Sequence, residues 1–97
     1  MTYTVHPRAE LDLAEASDFY MKQAGKVVAR RFLAEFERVA NLVDRNPDAG
    51  AEIRRNRRRF HLAVFPYAVI YRKLEVGIQV LVVRHHSRRP SYGMSRR

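Results

Sequence analysis

The hydrophobic pattern of the chain changes period near Gly50, and this change limits the folds that the sequence can adopt. Before Gly50, apolar residues recur every three or four positions, which is typical of amphipathic helices. After it, they alternate with polar residues or form short apolar runs, which is typical of β-strands. Within 97 residues, this order predicts a single α+β domain over residues 1–97.

Two helices are predicted in the first half. The first begins at Pro7, because proline lacks the N–H that would be unpaired in the first turn, and it ends before Gly25. The second runs from about Lys26 to Arg45. It ends before Pro47, because the residue that precedes a proline disfavours the helical conformation. So short a connection predicts an αα-hairpin.

Strands are predicted before the first helix and after the second. Their expected positions are Tyr3–His6, a stretch from Arg59 to Val64 in which apolar residues alternate, Ala68–Leu74 and Ile78–His85. Short connections, including a turn at Pro66 and Tyr67, make the last three an antiparallel meander. The final strand is apolar on both faces and is therefore expected to be a central strand of the sheet. The predicted fold is two-layered, β-α-α-β-β-β, with the αα-hairpin packed on a small, mainly antiparallel sheet.

The charge of the chain is concentrated in its second half. Residues 1–50 contain 7 Lys and Arg against 8 Asp and Glu, whereas residues 51–97 contain 12 against 2. The net charge of +9 therefore arises entirely after Gly50. Such a field attracts a polyanion, which is a nucleic acid, an acidic protein segment or an anionic surface. The alternative is a solvated face that only keeps the protein in solution.

The densest basic feature is Arg54–Arg59, which contains five arginines. If it forms a strand, alternate side chains point to opposite faces, so Arg57 and Arg59 share a face. We expect these two and Arg72 to approach the segment His86–Tyr92 and to form one binding surface. The alternative is a charged edge strand that prevents aggregation between sheets.

Few residues are suited to catalysis. There is no cysteine, no phosphate-binding loop and no nucleophile elbow, and we expect no cofactor. His85 and His86 should point to opposite faces of a strand and have no acidic neighbour, so we expect no metal site. An enzyme built from these residues would be a metal-independent acid–base catalyst of RNA cleavage.

The two ends of the chain carry separate expectations. The first residues lack the apolar segment of a secretory signal, and no apolar run is long enough to cross a bilayer. We therefore expect a cytoplasmic protein with no membrane partner. Tyr92 is expected either to stack on a base or to anchor the tail, and residues 93–97 are expected to be mobile.

Four segments, in order, resemble a known protein family. They are His6–Leu13, Asn46–Gly50, Phe65–Arg72 and Val82–Tyr92. Together they resemble the RelE/ParE toxins of bacterial type II toxin–antitoxin modules, often labelled plasmid stabilisation proteins. The resemblance covers nearly the whole chain and implies the β-α-α-β-β-β fold. It also implies a toxin that a cognate, often acidic, antitoxin neutralises, which agrees with the basic second half.

The resemblance leaves the cellular target open. RelE-like members cleave messenger RNA on the ribosome, whereas ParE-like members inhibit DNA gyrase without an established hydrolytic site. Arg88 and Tyr92 fall where the nuclease branch has a functional arginine and tyrosine, and His86 lies close by, so these three are the catalytic candidates for a nuclease. Ala68, however, occupies the place of that branch's phosphate-holding arginine. This departure favours a ParE-like inhibitor of gyrase that is not an enzyme.

Two alternatives remain beside gyrase inhibition. One is the ribosome-dependent endoribonuclease, whose partners would be the ribosome and messenger RNA. The other is a non-toxic nucleic-acid-binding module. In every case we expect arginines to contact the target or the antitoxin, and the candidates are Arg57, Arg59, Arg72, Arg88 and Arg89.

Overall fold

The structure is a computed structural model that describes residues 3–97. Two helices pack on one face of a five-stranded sheet, whose strand order is β1-β5-β4-β3-β2. The elements are β1 (Thr4–Val5), α1 (Pro7–Ala24), α2 (Lys26–Arg45), β2 (Ala51–Arg54), β3 (Arg57–His61), β4 (Tyr67–Lys73) and β5 (Ile78–His85). The strand β1 pairs in parallel with β5, and all other pairs are antiparallel. The predicted two-layer α+β fold is confirmed, with one further strand, β2, that the sequence pattern does not predict.

Both predicted helices are present with the expected bounds, because their ends carry strong local signals. The ring Nδ1 of His6 accepts a hydrogen bond from the backbone N–H of Arg8 at 3.0 Å, and Pro7 occupies the first turn. Gly25 alone connects the two helices and has a φ of 90°. That left-handed conformation is readily available to glycine, so the hairpin can turn within one residue.

The hydrophobic core lies between the helices and the sheet. Phe32 from α2 contacts the rings of Tyr67 and Phe65, with centroid distances of 5.1 Å and 5.4 Å. The strand β5 lies between β1 and β4, and its residues from Val80 to Val83 are buried. The expectation that this strand is central is therefore confirmed.

The arginine-rich run does not lie on one strand, which was the condition considered in the sequence analysis for its alternation. Arg54 ends β2, Arg55 and Asn56 form the turn, and Arg57 begins β3. Asn56 has a φ of 52°, a conformation that asparagine tolerates better than most residues. The run is therefore a hairpin, in which Glu52 pairs with Arg58. The four residues of β2 are too few to give a clear alternation signal in the sequence.

The strand predicted to reach Val64 ends at His61 instead. Leu62 is buried as expected, but Val64 is 97% exposed and has a φ of 71°. A β-branched side chain is strained in this left-handed conformation. The alternating pattern beyond His61 therefore belongs to a loop.

We expect Val64→Gly to stabilise the protein. The substitution relieves the left-handed strain and removes no packing, so we expect the free energy of unfolding to rise by about 0.5–1 kcal/mol after the entropy of glycine is subtracted. Urea denaturation measures the change. The matched control is Val76→Gly, since Val76 is 72% exposed but has no positive φ. A loss of stability in both variants would contradict the strain at Val64.

The sheet face opposite the helices, here called the second face, is covered in part by the C-terminal residues. A small apolar cluster lies there, formed by Ile70, Leu81, Val82 and Met94. The tail thus returns across the sheet, and the mobility expected for residues 93–97 stays a prediction. Within residues 3–97, neither helix is long and apolar enough to cross a membrane.

Candidate functional site

The second face carries three of the four basic residues of β3, because side chains alternate along a strand. Phe60 packs into the core on the helix side, and Arg58 donates to the backbone oxygen of Gly50 at 2.8 Å. Arg57, Arg59 and His61 therefore project from the second face. The prediction that Arg57 and Arg59 share a face is confirmed.

Arg57 and Arg72 lie at one end of this face. The Nη2 of Arg57 donates to the backbone oxygen of Arg96 at 3.2 Å, and the Nε of Arg72 donates to Gln79 at 2.9 Å. Burial lowers the pKa of Arg57, and the charges of Arg72 and Arg54 lower it further. Arg57 therefore does meet the tail, although at Arg96 rather than within His86–Tyr92.

Arg59 lies beside Arg84, which is not among the arginines predicted to bind a partner. The side chain of Arg84 is buried and its Nη1 donates to the backbone oxygen of Pro90 at 2.6 Å. Burial lowers the pKa of Arg84, and the charge of Arg59 adds to this effect. The sequence signal for Arg84 is its place directly after the apolar run of β5. The neighbours of Arg84 cannot be predicted from that run, because they depend on how the strands pair.

His61 and His86 meet at the edge of the same face. Nδ1 of His61 lies 3.2 Å from Nε2 of His86, and the two rings are nearly perpendicular. His85 points to the other side of the sheet, where its ring contacts Tyr67 at a centroid distance of 5.0 Å. The prediction that His85 and His86 point to opposite faces is confirmed, whereas the pairing of His86 with His61 was not foreseen.

The stability of the protein should depend on pH through His61. Partial desolvation lowers the pKa of His61, and the charges of Arg59, His86 and Arg84 lower it further. The unfolded chain then binds the proton more readily, so stability is complete above the ordinary pKa of about 6.5 and falls as the pH drops below it. Denaturant titrations between about pH 7.5 and 5.5 should show a shallower pH dependence for His61→Gln. Equal slopes in the two proteins would rule out this contribution.

Asp12 links α1, β5 and the tail. Its buried carboxylate accepts hydrogen bonds from the backbone N–H of Val83 at 3.0 Å and from the hydroxyl of Tyr92 at 2.7 Å. It also forms an ion pair with Arg96, in which Nη1 lies 2.6 Å from Oδ2 and both side chains are less than a tenth exposed. The carboxylate therefore has partners on both of its oxygens.

Arg88 and Tyr92 lie together at a cleft between α1 and the C-terminal segment. The guanidinium of Arg88 stands 4.7 Å from the centre of the Tyr92 ring and 3.4 Å from Glu15. The cleft encloses about 450 Å³ and is also lined by His85. The hydrogen bond to Asp12 raises the pKa of Tyr92, as do burial and the charge of Asp12.

The catalytic candidates of the nuclease hypothesis therefore have different surroundings. Arg88 and Tyr92 line the cleft beside α1, whereas His86 pairs with His61. Arg89 is exposed. In the part of the chain that the structure describes, no group of three or more His, Cys, Asp or Glu residues could hold a metal ion.

Comparisons with known proteins agree with this architecture. The chain is 31% identical over 87 residues to "Toxin ParE2" of Mycobacterium tuberculosis, in strains CDC 1551 / Oshkosh and ATCC 25618 / H37Rv, and the alignment covers 90% of this chain and 83% of the relative. A solved structure described as "Chromosomal ParDE TA system from P. aeruginosa" shares the fold, with a TM-score of 0.76, 20% sequence identity and coverage of 88% of this chain and 95% of that one. Residues 3–90 match the family described as "ParE toxin of type II toxin-antitoxin system, parDE". This chain therefore belongs to the ParE family of toxins from type II toxin–antitoxin systems.

Proposed function

We propose that this toxin arrests growth by inhibiting DNA gyrase and that a cognate acidic antitoxin neutralises it. The observation that carries the choice of target is the environment of Tyr92, whose hydroxyl donates to the buried carboxylate of Asp12 at 2.7 Å. The hydroxyl proton is engaged by Asp12, and this contact raises the pKa of Tyr92 further from neutral, so the hydroxyl is unsuited to act as a base. A tyrosine held in this way is an anchor for the tail, which supports a binding toxin rather than a nuclease.

The second face supports the acidic antitoxin. Neither Arg57 nor Arg72 takes part in the six ion pairs found within residues 3–97. These guanidinium groups donate only to neutral oxygens, so they have no carboxylate partner and can receive one from the antitoxin. Such complementarity accelerates association. In this proposal one basic face serves both the target and the antitoxin, so binding of the antitoxin blocks access of the target.

Induction of the chain alone in bacteria tests the choice of target. We expect growth to stop with an early loss of negative supercoiling in a reporter plasmid, while incorporation of labelled amino acids continues. Coexpression of the antitoxin from the neighbouring gene should restore growth. Early loss of translation with intact supercoiling would contradict gyrase as the target, and normal growth would favour the non-toxic nucleic-acid-binding module.

The anchoring role of Tyr92 gives a separate prediction. Tyr92→Phe removes only the hydroxyl and keeps the ring under Arg88, so we expect a loss of about 1–2 kcal/mol in the free energy of unfolding. Growth arrest should persist, because the fold remains. Denaturation and the induction assay measure the two effects. A folded variant that no longer arrests growth would contradict the structural role and would favour catalysis.

One observation favours the RelE-like alternative, a ribosome-dependent endoribonuclease. His61 and His86 are within hydrogen-bonding distance and lie near Arg59 and Arg84. A histidine pair beside arginines is suited to proton transfer during RNA cleavage. In that case His86→Ala would abolish cleavage of messenger RNA in cells, whereas gyrase inhibition does not require this proton transfer.

A further inference from the structure

Ala68 lies on the second face among four basic side chains, which are Arg59, His61, Arg84 and His86. His61, Ala68 and Arg84 are direct neighbours across β3, β4 and β5. Because adjacent strands lie about 4.8 Å apart, the backbones of His61 and Arg84 are roughly 10 Å apart, with only a methyl group between them. Ala68 is 1% exposed, so longer side chains close over it. The small residue leaves room for these chains to converge.

Arg59 adds an unsatisfied donor at this place. Its Nε is buried and is the only buried side-chain nitrogen or oxygen within residues 3–97 that has no hydrogen-bond partner. A buried donor without an acceptor is costly, and most such groups in folded proteins are paired. None of the six ion pairs in the described residues includes Arg59 or Arg84. The pair of guanidinium groups therefore lacks an anion.

The histidine pair can supply two further donors. When both rings are neutral, the contact of 3.2 Å uses one N–H, and the two outer nitrogens are then one donor and one acceptor. Addition of one proton to the pair makes both outer nitrogens donors. Both histidines are exposed, so these nitrogens can reach a ligand from solvent.

We propose that Arg59, His61, Arg84 and His86 form a site that binds a phosphate group. The charged groups that act on His61 are Arg59 of β3, Arg84 of β5 and its partner His86, while β4 contributes the uncharged Ala68. Donors from four side chains suit the oxygens of a tetrahedral phosphate better than the two oxygens of a planar carboxylate. The phosphate is either free or part of a nucleic-acid backbone, and the site does not depend on which enzyme the toxin inhibits.

Titration of inorganic phosphate into the purified full chain tests this site. The ionic strength is held constant with chloride, and the imidazole signals of His61 and His86 are followed by NMR. We expect saturable shifts of both signals and a higher titration midpoint for His61 with phosphate bound. Unsaturable shifts, or shifts that chloride reproduces, would overturn the proposal.

Matched variants separate the site from general electrostatic attraction. Arg59→Gln should weaken phosphate binding about tenfold or more, as expected for the loss of a charged hydrogen bond. Arg55→Gln removes the same charge from an exposed turn position and should change binding less than about twofold. If Arg59→Gln fails to fold, His86→Gln replaces it, because His86 is exposed. Equal weakening by the site and turn variants would overturn the site.

The source of the phosphate is decided by competition. A short single-stranded oligonucleotide that shifts the same two histidines and displaces phosphate identifies a nucleic-acid backbone. Shifts with inorganic phosphate alone identify the free ion. Preferential binding of a glutamate-rich peptide at these histidines would overturn a phosphate site in favour of a carboxylate site. None of these results depends on gyrase inhibition, so the two proposals can fail separately.

Discussion

Asp12→Ala is expected to lower the free energy of unfolding by about 3–5 kcal/mol, because it breaks a buried ion pair and leaves the guanidinium of Arg96 unpaired. The substitution also removes the acceptor for the Tyr92 hydroxyl and for the backbone N–H of Val83. Since small domains are stabilised by about 5–15 kcal/mol in total, this loss is a large share of the stability. The tail should detach from the sheet before the domain unfolds.

Urea denaturation of the purified variant measures the loss. The matched control is Asp18→Ala, on the same helix, because Asp18 is exposed and only pairs with Lys22 one turn away. We expect that control to cost less than about 0.5 kcal/mol. Similar losses in the two variants would contradict the assignment of Asp12 as the link between α1, β5 and the tail.

Gly93→Ala is expected to release the tail by a steric route. Gly93 has a φ of 75°, and an added Cβ would lie 2.6 Å from a methyl carbon of Val82. The combined cost of the left-handed conformation and the overlap is about 2–4 kcal/mol, which is enough to displace the tail from its apolar cluster. Ile70, Leu81 and Val82 would then face solvent, so the variant should also aggregate more readily.

Amide hydrogen exchange detects this release locally. Residues 91–96 and the backbone of β5 should lose protection in Gly93→Ala, while α2 keeps it. The exposed Ser95 lies in the same tail, and Ser95→Ala serves as the control that should leave exchange unchanged. Unchanged protection of the tail in Gly93→Ala would contradict this release, because it would show that Val82 can move aside.

The helices could be predicted because their boundaries are set by local chemistry. Pro7, Gly25 and Pro47 each act on their immediate neighbours, so a window of a few residues contains the signal. The hairpin within Arg54–Arg59 was missed for the opposite reason. Its turn depends on Asn56 adopting a left-handed conformation, and β2 is held by pairing with β3 rather than by its own pattern.

The site could be predicted only in part. Strand alternation places Arg57 and Arg59 on one face, but it does not say what the neighbouring strands contribute there. The pairing of β5 with β4 brings Arg84 to that face, where it lies in one cross-strand row with Ala68 and His61. The contact between Asp12 and Tyr92 joins residues 80 positions apart. No local sequence pattern predicts a contact between residues so far apart in the chain.

The central proposal, that this toxin acts on gyrase, is tested most directly with purified components. The toxin is added to gyrase, relaxed plasmid and ATP, and in parallel to a reconstituted translation reaction in which the messenger RNA is followed by size. The account predicts loss of supercoiling, recovery when the cognate antitoxin is added in equal amount, and intact messenger RNA. Full supercoiling in excess toxin, together with cleaved messenger RNA on the ribosome, would contradict it.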